Sequence, residues 1–258
     1  MKPRGLEELA SMTPDRIASW RARLSAGSGL VNEVLSRTLL AECGIPIVPT
    51  QVAGSIEETE AVADALGYPV AMKVMSPDIS HKTDVGGVLL NLANRDQVRV
   101  AYLKIQESVR QRAPAARWEG VAVQPMIATT RGVELMLGLK RDPQFGPVIL
   151  LGAGGITAEL QHDFVLELLP LDDSIWGQML RSLRLFPVLE GYRGRPGVDL
   201  AALQKTVMRF AELAAHFPEL ESADINPLLA TGDGVIALDA RLIARPLPNA
   251  GATTQDRL

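Results

Sequence analysis

Apolar residues recur at helical spacing over residues 6–24 and 31–43, with Thr13-Pro14-Asp15 as an internal start signal and Gly44-Ile45-Pro46 as a stop. Beyond them the period changes. Short apolar runs at 47–53, 70–75 and 86–92 read as strands and alternate with helical patterns at 57–66 and 95–112, the latter amphipathic through Val98, Tyr102, Ile105 and Val109. Strand-like runs follow at 118–127, 133–139 and 147–151, then helical patterns near 172–182 and 199–215. A pair of strand-like runs at 221–230 and 235–243 closes the series. This alternation predicts an α/β (α+β) chain. Ala113-Pro114-Ala115-Ala116-Arg117 is the best candidate for a boundary. Two α/β halves joined near Gln124-Pro125-Met126 would leave a cleft, the usual place for a small ligand. The sequence shows no internal repeat and no low-complexity tract.

Composition adds exclusions. The 258 residues are 47% hydrophobic and 22% charged, ample for a core, and the net charge is −4 with Lys and Arg scattered, so neither a nucleic-acid partner nor an anionic membrane surface is indicated. The longest uncharged apolar stretch, Gly146 to Ala158, holds thirteen residues and four glycines. A membrane helix needs roughly 20. No signal-peptide pattern opens the chain, and the single cysteine, Cys43, excludes an internal disulfide framework and suits the reducing cytoplasm.

The sharpest chemistry lies in Ser76-Pro77-Asp78-Ile79-Ser80-His81-Lys82-Thr83-Asp84-Val85-Gly86-Gly87, which follows the apolar run Val70-Ala71-Met72-Lys73-Val74-Met75. A lysine inside a buried strand needs an anion, because a desolvated unpaired ammonium is costly. Lys73 fits either a strand-end lysine snorkelling to water or a phosphate ligand, and its strand-face neighbours Ala71 and Met75 favour the second. A lone loop histidine is ordinarily a surface hydrogen-bonding residue. His81, however, stands beside Lys82 and ahead of Gly86-Gly87. A neutral imidazole nitrogen is a competent phosphoryl acceptor, and the lysine and glycine backbone suit the anion it would carry. The other histidines, His162 and His216, lack such neighbours and read as surface residues.

A two-residue loop at Gly232-Asp233 fixes the register of the last strand pair, setting Asn226 opposite Asp239 and Asp224 opposite Arg241, with opposed side chains starting roughly 5 Å apart. The plain reading is a solvated surface hairpin. The register favours another: an amide oxygen plus a carboxylate is hard-oxygen ligation suited to Mg²⁺, which completes its shell with water and phosphates. Gly152-Ala153-Gly154-Gly155-Ile156-Thr157 follows an apolar run but misses the third glycine of a dinucleotide fingerprint, and a tight turn with close backbone packing explains it at least as well. There is no P-loop and no nucleophile elbow.

Six separated segments carry a resemblance: Gly67 to Lys73, Ser76 to Gly87, Arg141 to Pro147, Gly152 to Ile156, Leu189 to Gly194 and Asp224-Ile225-Asn226-Pro227-Leu228. Together they resemble the ATP-grasp β subunit of NDP-forming acyl-CoA synthetases, the ADP-forming acetyl-CoA synthetase type, over residues 30 to 245. The resemblance implies an ATP-grasp fold of two α/β subdomains clamping a nucleotide. It places an N-terminal helical extension at 1–29, a first subdomain with a mobile His loop at 30–120, a second with the metal hairpin at 121–245, and a tail at 246–258. It further implies that Lys73 contacts the phosphates of ATP or ADP, that Gln124 and Met126 line the adenine pocket, that Glu134 lies near the nucleotide, and that Asn226 with Asp239 holds Mg²⁺. His81, with Lys82 beside it, matches the histidine that takes phosphate from a phosphohistidine on the α subunit and passes it to ADP. Its loop would swing on Pro77 and Gly86-Gly87. The CoA-binding part is absent from these residues, so the resemblance implies a separate CoA-binding α subunit and a hetero-oligomer of α₂β₂ kind. Thr83 stands where the family often has serine. Two rivals remain: an ATP-grasp carboxylate ligase without a phosphohistidine, and a nucleotide-sensing module without turnover.

Overall fold

The computed structural model describes residues 12–79, 81–155 and 162–245. Residues 6–11 of the first helical pattern, Ser80, positions 156–157 of the glycine-rich segment and the 246–258 tail lie outside the described residues. The chain opens with α1 (Pro14–Ser25), β1 (Gly29–Leu30) and α2 (Glu33–Glu42). Thr13 caps α1 by accepting from the Arg16 N–H, with Pro14 in the first turn, and Asn32 caps α2 by accepting from the Val34 and Leu35 N–H groups. An inserted unit, residues 48–128, then folds on itself from β2 (Gln51–Ala53), α3 (Ile56–Leu66), β3 (Val70–Val74), β4 (Val88–Leu92), α4 (Arg95–Arg112) and β5 (Val121–Pro125). A short 3₁₀ turn leads to β6 (Val133–Asp142), β7 (Gly146–Ala153), β8 (Phe164–Leu168), α5 (Asp173–Ser182), α6 (Phe186–Glu190), β9 (Gly191–Tyr192) and β10 (Arg195–Pro196). The chain finishes with α7 (Leu200–His216), β11 (Leu220–Thr231), β12 (Gly234–Ala237) and β13 (Ala240–Ala244). These later elements join residues 12–47 in a flanking unit.

The inserted unit is an antiparallel sheet in the order β2-β5-β3-β4. Alternation sends Val70, Met72 and Val74 of β3 and Val121 and Val123 of β5 into a core with Val98, Ala101, Tyr102, Ile105 and Val109 of α4. Ala71 and Lys73 therefore share the opposite face with Gln124 and Ala122, their direct partners across β3 and β5. Helices α3 and α4 are tied by Glu60, 1% exposed, which accepts from Arg95 Nε at 2.9 Å and Arg99 Nε at 2.6 Å.

The flanking unit holds a seven-stranded antiparallel sheet in the order β1-β13-β11-β6-β7-β8, with β12 also on β11. Leu135, Leu137 and Leu139 of β6, Ile149 and Leu151 of β7, and Ala223 and Ile225 of β11 enter one core with Leu203, Val207 and Phe210 of α7. On the other face Asp224, Gly138, Leu150 and Leu166 stand in register across β11, β6, β7 and β8. The grouping differs from the expected halves, since residues 30–47 belong with the later strands and 121–128 with the inserted unit. Nor is 14–25 an extension. Trp20 is 1% exposed in the flanking core, and its indole N–H donates to Glu42 at 2.7 Å. Such long-range packing leaves no local trace in the spacing of apolar residues.

The glycines at the end of β7 and just beyond it serve close approach. A Cβ on Gly152 would lie 2.6 Å from the Phe164 Cβ and 2.7 Å from the Asp163 carbonyl, and one on Gly154 would overlap the Leu135 backbone. Gly154→Ala is therefore expected to cost about 1–3 kcal/mol, read as a lowered midpoint in urea unfolding. An unchanged midpoint would show that the turn tolerates a side chain. Arg99 and Arg95 hold the Glu60 carboxyl down to about 2. A carboxyl depressed in the folded state stabilises above the unfolded value near 4.5 and loses that contribution as pH falls through 2. The Tm gap between the native chain and Glu60→Gln should thus be widest at neutral pH and close between pH 5 and 2. A gap independent of pH would contradict the ion-pair account.

Candidate functional site

In the inserted unit, Lys73 and Gln124 are nearly buried, at 9% and 7% exposure, on the sheet face turned from the helices. Ala71 and Ala122, each 1% exposed, are the residues directly across from them. Small neighbours let a long ammonium and an amide lie along one surface. The Thr50 hydroxyl lies 3.5 Å from Gln124 Oε1. Where β5 ends, the half-buried Met126 is tied by its N–H to the Pro69 carbonyl at 2.9 Å.

His81 and Lys82 sit in the loop leaving β3, whose ends are fastened. Gly87 N–H donates to the Lys82 carbonyl and Val74 N–H to the Gly87 carbonyl, both at 2.7 Å. Ser108 Oγ donates to the Val85 carbonyl at 2.8 Å, and Arg112 Nη1 to the Asp84 carbonyl at 3.1 Å. A Cβ on Gly87 would meet the Lys82 carbonyl at 2.9 Å and collide with Val74. The glycine pair is thus an anchor, which departs from the hinge expected of it. At the other end, Asp78 accepts from Arg117 N at 2.9 Å and Nε at 3.1 Å, and this guanidinium holds its carboxyl below the usual range. Between the two fastenings His81 is exposed to solvent.

The flanking unit carries the remaining groups. Glu134, half-buried on β6, has its carboxylate where a Cβ on Gly155, whose φ is +73°, would collide with it, and its carbonyl accepts from Gly154 N–H at 2.8 Å. On β11 the expected register is observed: Leu228 to Thr231 pair with Ala237 to Gly234, and Asp224 pairs directly with Arg241. The second strand of that hairpin is, however, split into β12 and β13. Pro227 has no N–H to give, the pairing of β11 with β6 shifts by one residue between Ile225 and Leu228, and Asn226 and Asp239 fall in the matching gap. They remain bracketed by Ile225↔Ala240 on one side and Leu228↔Ala237 on the other.

Crowding by protein pushes the Asp224 carboxyl up even though the residue as a whole is exposed, Arg241 opposes that shift, and Asp239 adds to it. Asp224 and Asp239 thus repel each other across a small patch that also holds Asn226. No group of three His, Cys, Asp or Glu suited to a metal occurs among the described residues. Two carboxylates and an amide oxygen fit Mg²⁺, which needs few protein ligands. Sequence reasoning missed Arg37, whose Nη2 donates to the Leu238 carbonyl at 3.1 Å and lies 3.5 Å from Asp239 Oδ1. Its only sequence signal is a charged residue within the apolar stripe of α2, four residues after Glu33.

No helix among the described residues is long and apolar enough to cross a membrane. A family model for the ATP-grasp domain matches residues 22–243. The chain is 36% identical to acetate–CoA ligase [ADP-forming] I subunit beta of Pyrococcus furiosus over 232 residues, covering 89% of this chain and 99% of that subunit. It is 39% identical to a trans-feruloyl-CoA synthase of an unknown prokaryotic organism over 222 residues, 85% of this chain but only 31% of that longer protein. The solved dinucleotide forming acetyl-coenzyme A synthetase 1 of Ca. Korarchaeum cryptofilum, in complex with coenzyme A and Ca-AMPCP, matches with a TM-score of 0.82 at 35% identity, covering 90% of this chain and all of that one. A second structure of that protein, with Mg-AMPPCP and its phosphohistidine segment pointing towards the nucleotide binding site, matches with a TM-score of 0.74 at 32% identity, covering 88% and 98%. The chain belongs to the ATP-grasp family and, within it, to the β subunits of ADP-forming acyl-CoA ligases.

Proposed function

We propose that this chain is the nucleotide-handling β subunit of an ADP-forming acyl-CoA synthetase, which with a separate CoA-binding α subunit interconverts acid, CoA and ATP with acyl-CoA, ADP and phosphate. The observation that carries the reading is the exposed His81, held in a loop fastened at both ends directly after the strand that buries Lys73. An exposed imidazole on a fastened loop can meet a partner polypeptide. A carboxylate ligase using a free acyl phosphate has no need of one.

In the ATP-forming direction the unprotonated His81 nitrogen attacks the phosphorus of a phosphohistidine on the α subunit. The partner's N–P bond breaks as the His81 N–P bond forms. A terminal β-phosphate oxygen of ADP then attacks the same phosphorus, the His81 N–P bond breaks, and ATP leaves with the imidazole neutral again. Lys82 faces the anion carried by His81, and Lys73 the nucleotide phosphates, so the protein's contribution is positioning and charge neutralisation. Gln124 and Met126 contact the adenine, and Glu134 sits near the nucleotide with the glycine turn behind it. Asn226 and Asp239 would hold Mg²⁺, which when bound offsets phosphate charge. The structure of the relative in complex with Mg-AMPPCP supports both nucleotide and ion.

An α partner is supported by the near-complete match to a separate β subunit and by the open sheet face. Edge strand β8 exposes Phe164, Leu166 and Leu168 by 48%, 54% and 51% on the face that bears Asp224, the kind of apolar surface a partner subunit covers.

The test uses the chain with its copurified CoA-binding partner, Mg²⁺ and ATP labelled at the γ-phosphate. Acid-labile, base-stable label is expected on this chain and absent from it in His81→Ala; label kept by the mutant would refute the shuttle, and ATP binding without label or turnover would favour the sensing module. Asp239→Ala is expected to lower Mg²⁺-dependent turnover by about 100-fold with an unchanged circular dichroism spectrum. Near-native turnover in that variant would remove Asp239 from the metal site.

A further inference from the structure

We propose that Arg37 is a positioning residue of the metal site, helping to fix the carboxylate of Asp239 where the hairpin's second strand is interrupted. The inference rests on Asn226 and Asp239 holding Mg²⁺. Asp239 falls between β12 and β13, outside either ladder, so strand pairing alone does not orient it. Arg37 adds a side-chain constraint from α2. Its side chain is 7% exposed, and Nη2 reaches two consecutive residues of the gap, the Leu238 carbonyl at 3.1 Å and Asp239 Oδ1 at 3.5 Å. Nε is held in turn by Glu33 Oε1 at 3.2 Å, one helical turn back.

Asp239 Oδ1 also accepts from the Ala240 N–H at 2.9 Å, so one carboxylate oxygen is fixed by backbone and guanidinium while the side chain stays 39% exposed. A carboxylate whose orientation is set by neighbouring donors is the form in which a metal ligand is usually presented. Partners of this kind are commonly worth 10–100-fold in metal affinity. A guanidinium suits the task because its rigid plane lets Nε hold Glu33 while Nη2 reaches the carbonyl and the carboxylate, whereas an ammonium is only a point charge.

Charge and geometry make opposite predictions. A cation beside a metal ligand repels the metal, so on charge alone removing it should tighten Mg²⁺ binding. If Arg37 positions Asp239, loss of the fork should weaken it. The experiment measures, by calorimetry on the chain with its copurified partner, the affinity for ADP in EDTA and the Mg²⁺ concentration giving half of the Mg²⁺-linked gain. Arg37→Lys keeps the charge and loses the fork; Arg37→Gln loses the charge and keeps a donor for the Leu238 carbonyl. Both are expected to leave metal-free ADP affinity within about two-fold and to raise the Mg²⁺ half-point by about 10-fold. A half-point unchanged or lowered in whichever variants fold, beside a raised one in Asp239→Ala, would overturn the role of Arg37 alone. A half-point unchanged in Asp239→Ala as well would overturn the metal reading and this inference with it.

Discussion

The two-faced character of a β-strand is the constraint on which the candidate groups of each unit depend. On β11, Ala223 and Ile225 enter the core and Asp224 points to the opposite face; on β3, Val70, Met72 and Val74 do the same, with Lys73 opposite. A slip of one residue in either strand would exchange the sets, burying a carboxylate or an ammonium in hydrocarbon and exposing isoleucine or methionine. At roughly 25 cal/mol for each Å² of apolar surface, several branched side chains together fix the register far more firmly than any contact to a ligand. The placement of the chemical groups is therefore a by-product of core burial. Local departures, such as the gap at Pro227, are tolerated because intact pairing lies on both sides of them.

The His81 loop is fastened unequally at its two ends. Its C-terminal end is held by backbone bonds and by packing of Gly87 against Val74, so opening it means breaking the β3–β4 connection itself. The N-terminal end rests on the Asp78–Arg117 pair, whose side chains are 40% and 71% exposed, and pairs in water contribute little. Ile79, 6% exposed, is the firmer hold there, since withdrawing such a side chain from its cluster costs about 1.5–3 kcal/mol. The proposed swing of His81 would therefore release the ion pair more cheaply than Ile79, and both more cheaply than the glycine end.

Most elements were legible because their signals are local. The caps of α1 and α2, the amphipathic stripe of α4 and the Gly232-Asp233 turn each act within a few residues, and the turn carried the register of the last hairpin out to Asp224 and Arg241. The grouping of elements was not legible. Residues 12–47 pack with strands more than a hundred positions later, through Trp20, Leu24, Leu39 and Leu40, and apolar spacing says only that a face is buried, not against what. The split between β12 and β13 was hidden for a related reason: Leu238 and Asp239 continue the alternating pattern, and the interruption comes from a proline on the neighbouring strand. The Arg37 contact joins positions 202 apart in sequence, beyond the reach of any periodicity.

Charge balance across the hairpin explains why so sparse a site would suit its ion. Asp224 stands opposite Arg241 and Asp239 beside Arg37, so each carboxylate already has a guanidinium at hand. Because Glu33 shares Arg37, three carboxylates face two guanidiniums and the patch keeps only a small negative charge, so a divalent ion would gain little by binding to it alone. A nucleotide bound as proposed would change that balance, because its phosphates bring further negative charge. Mg²⁺ keeps water readily and takes substrate phosphates in preference to a full protein cage. On the proposed assignment, two largely compensated carboxylates and one amide would therefore favour an ion that arrives with its nucleotide and leaves with it.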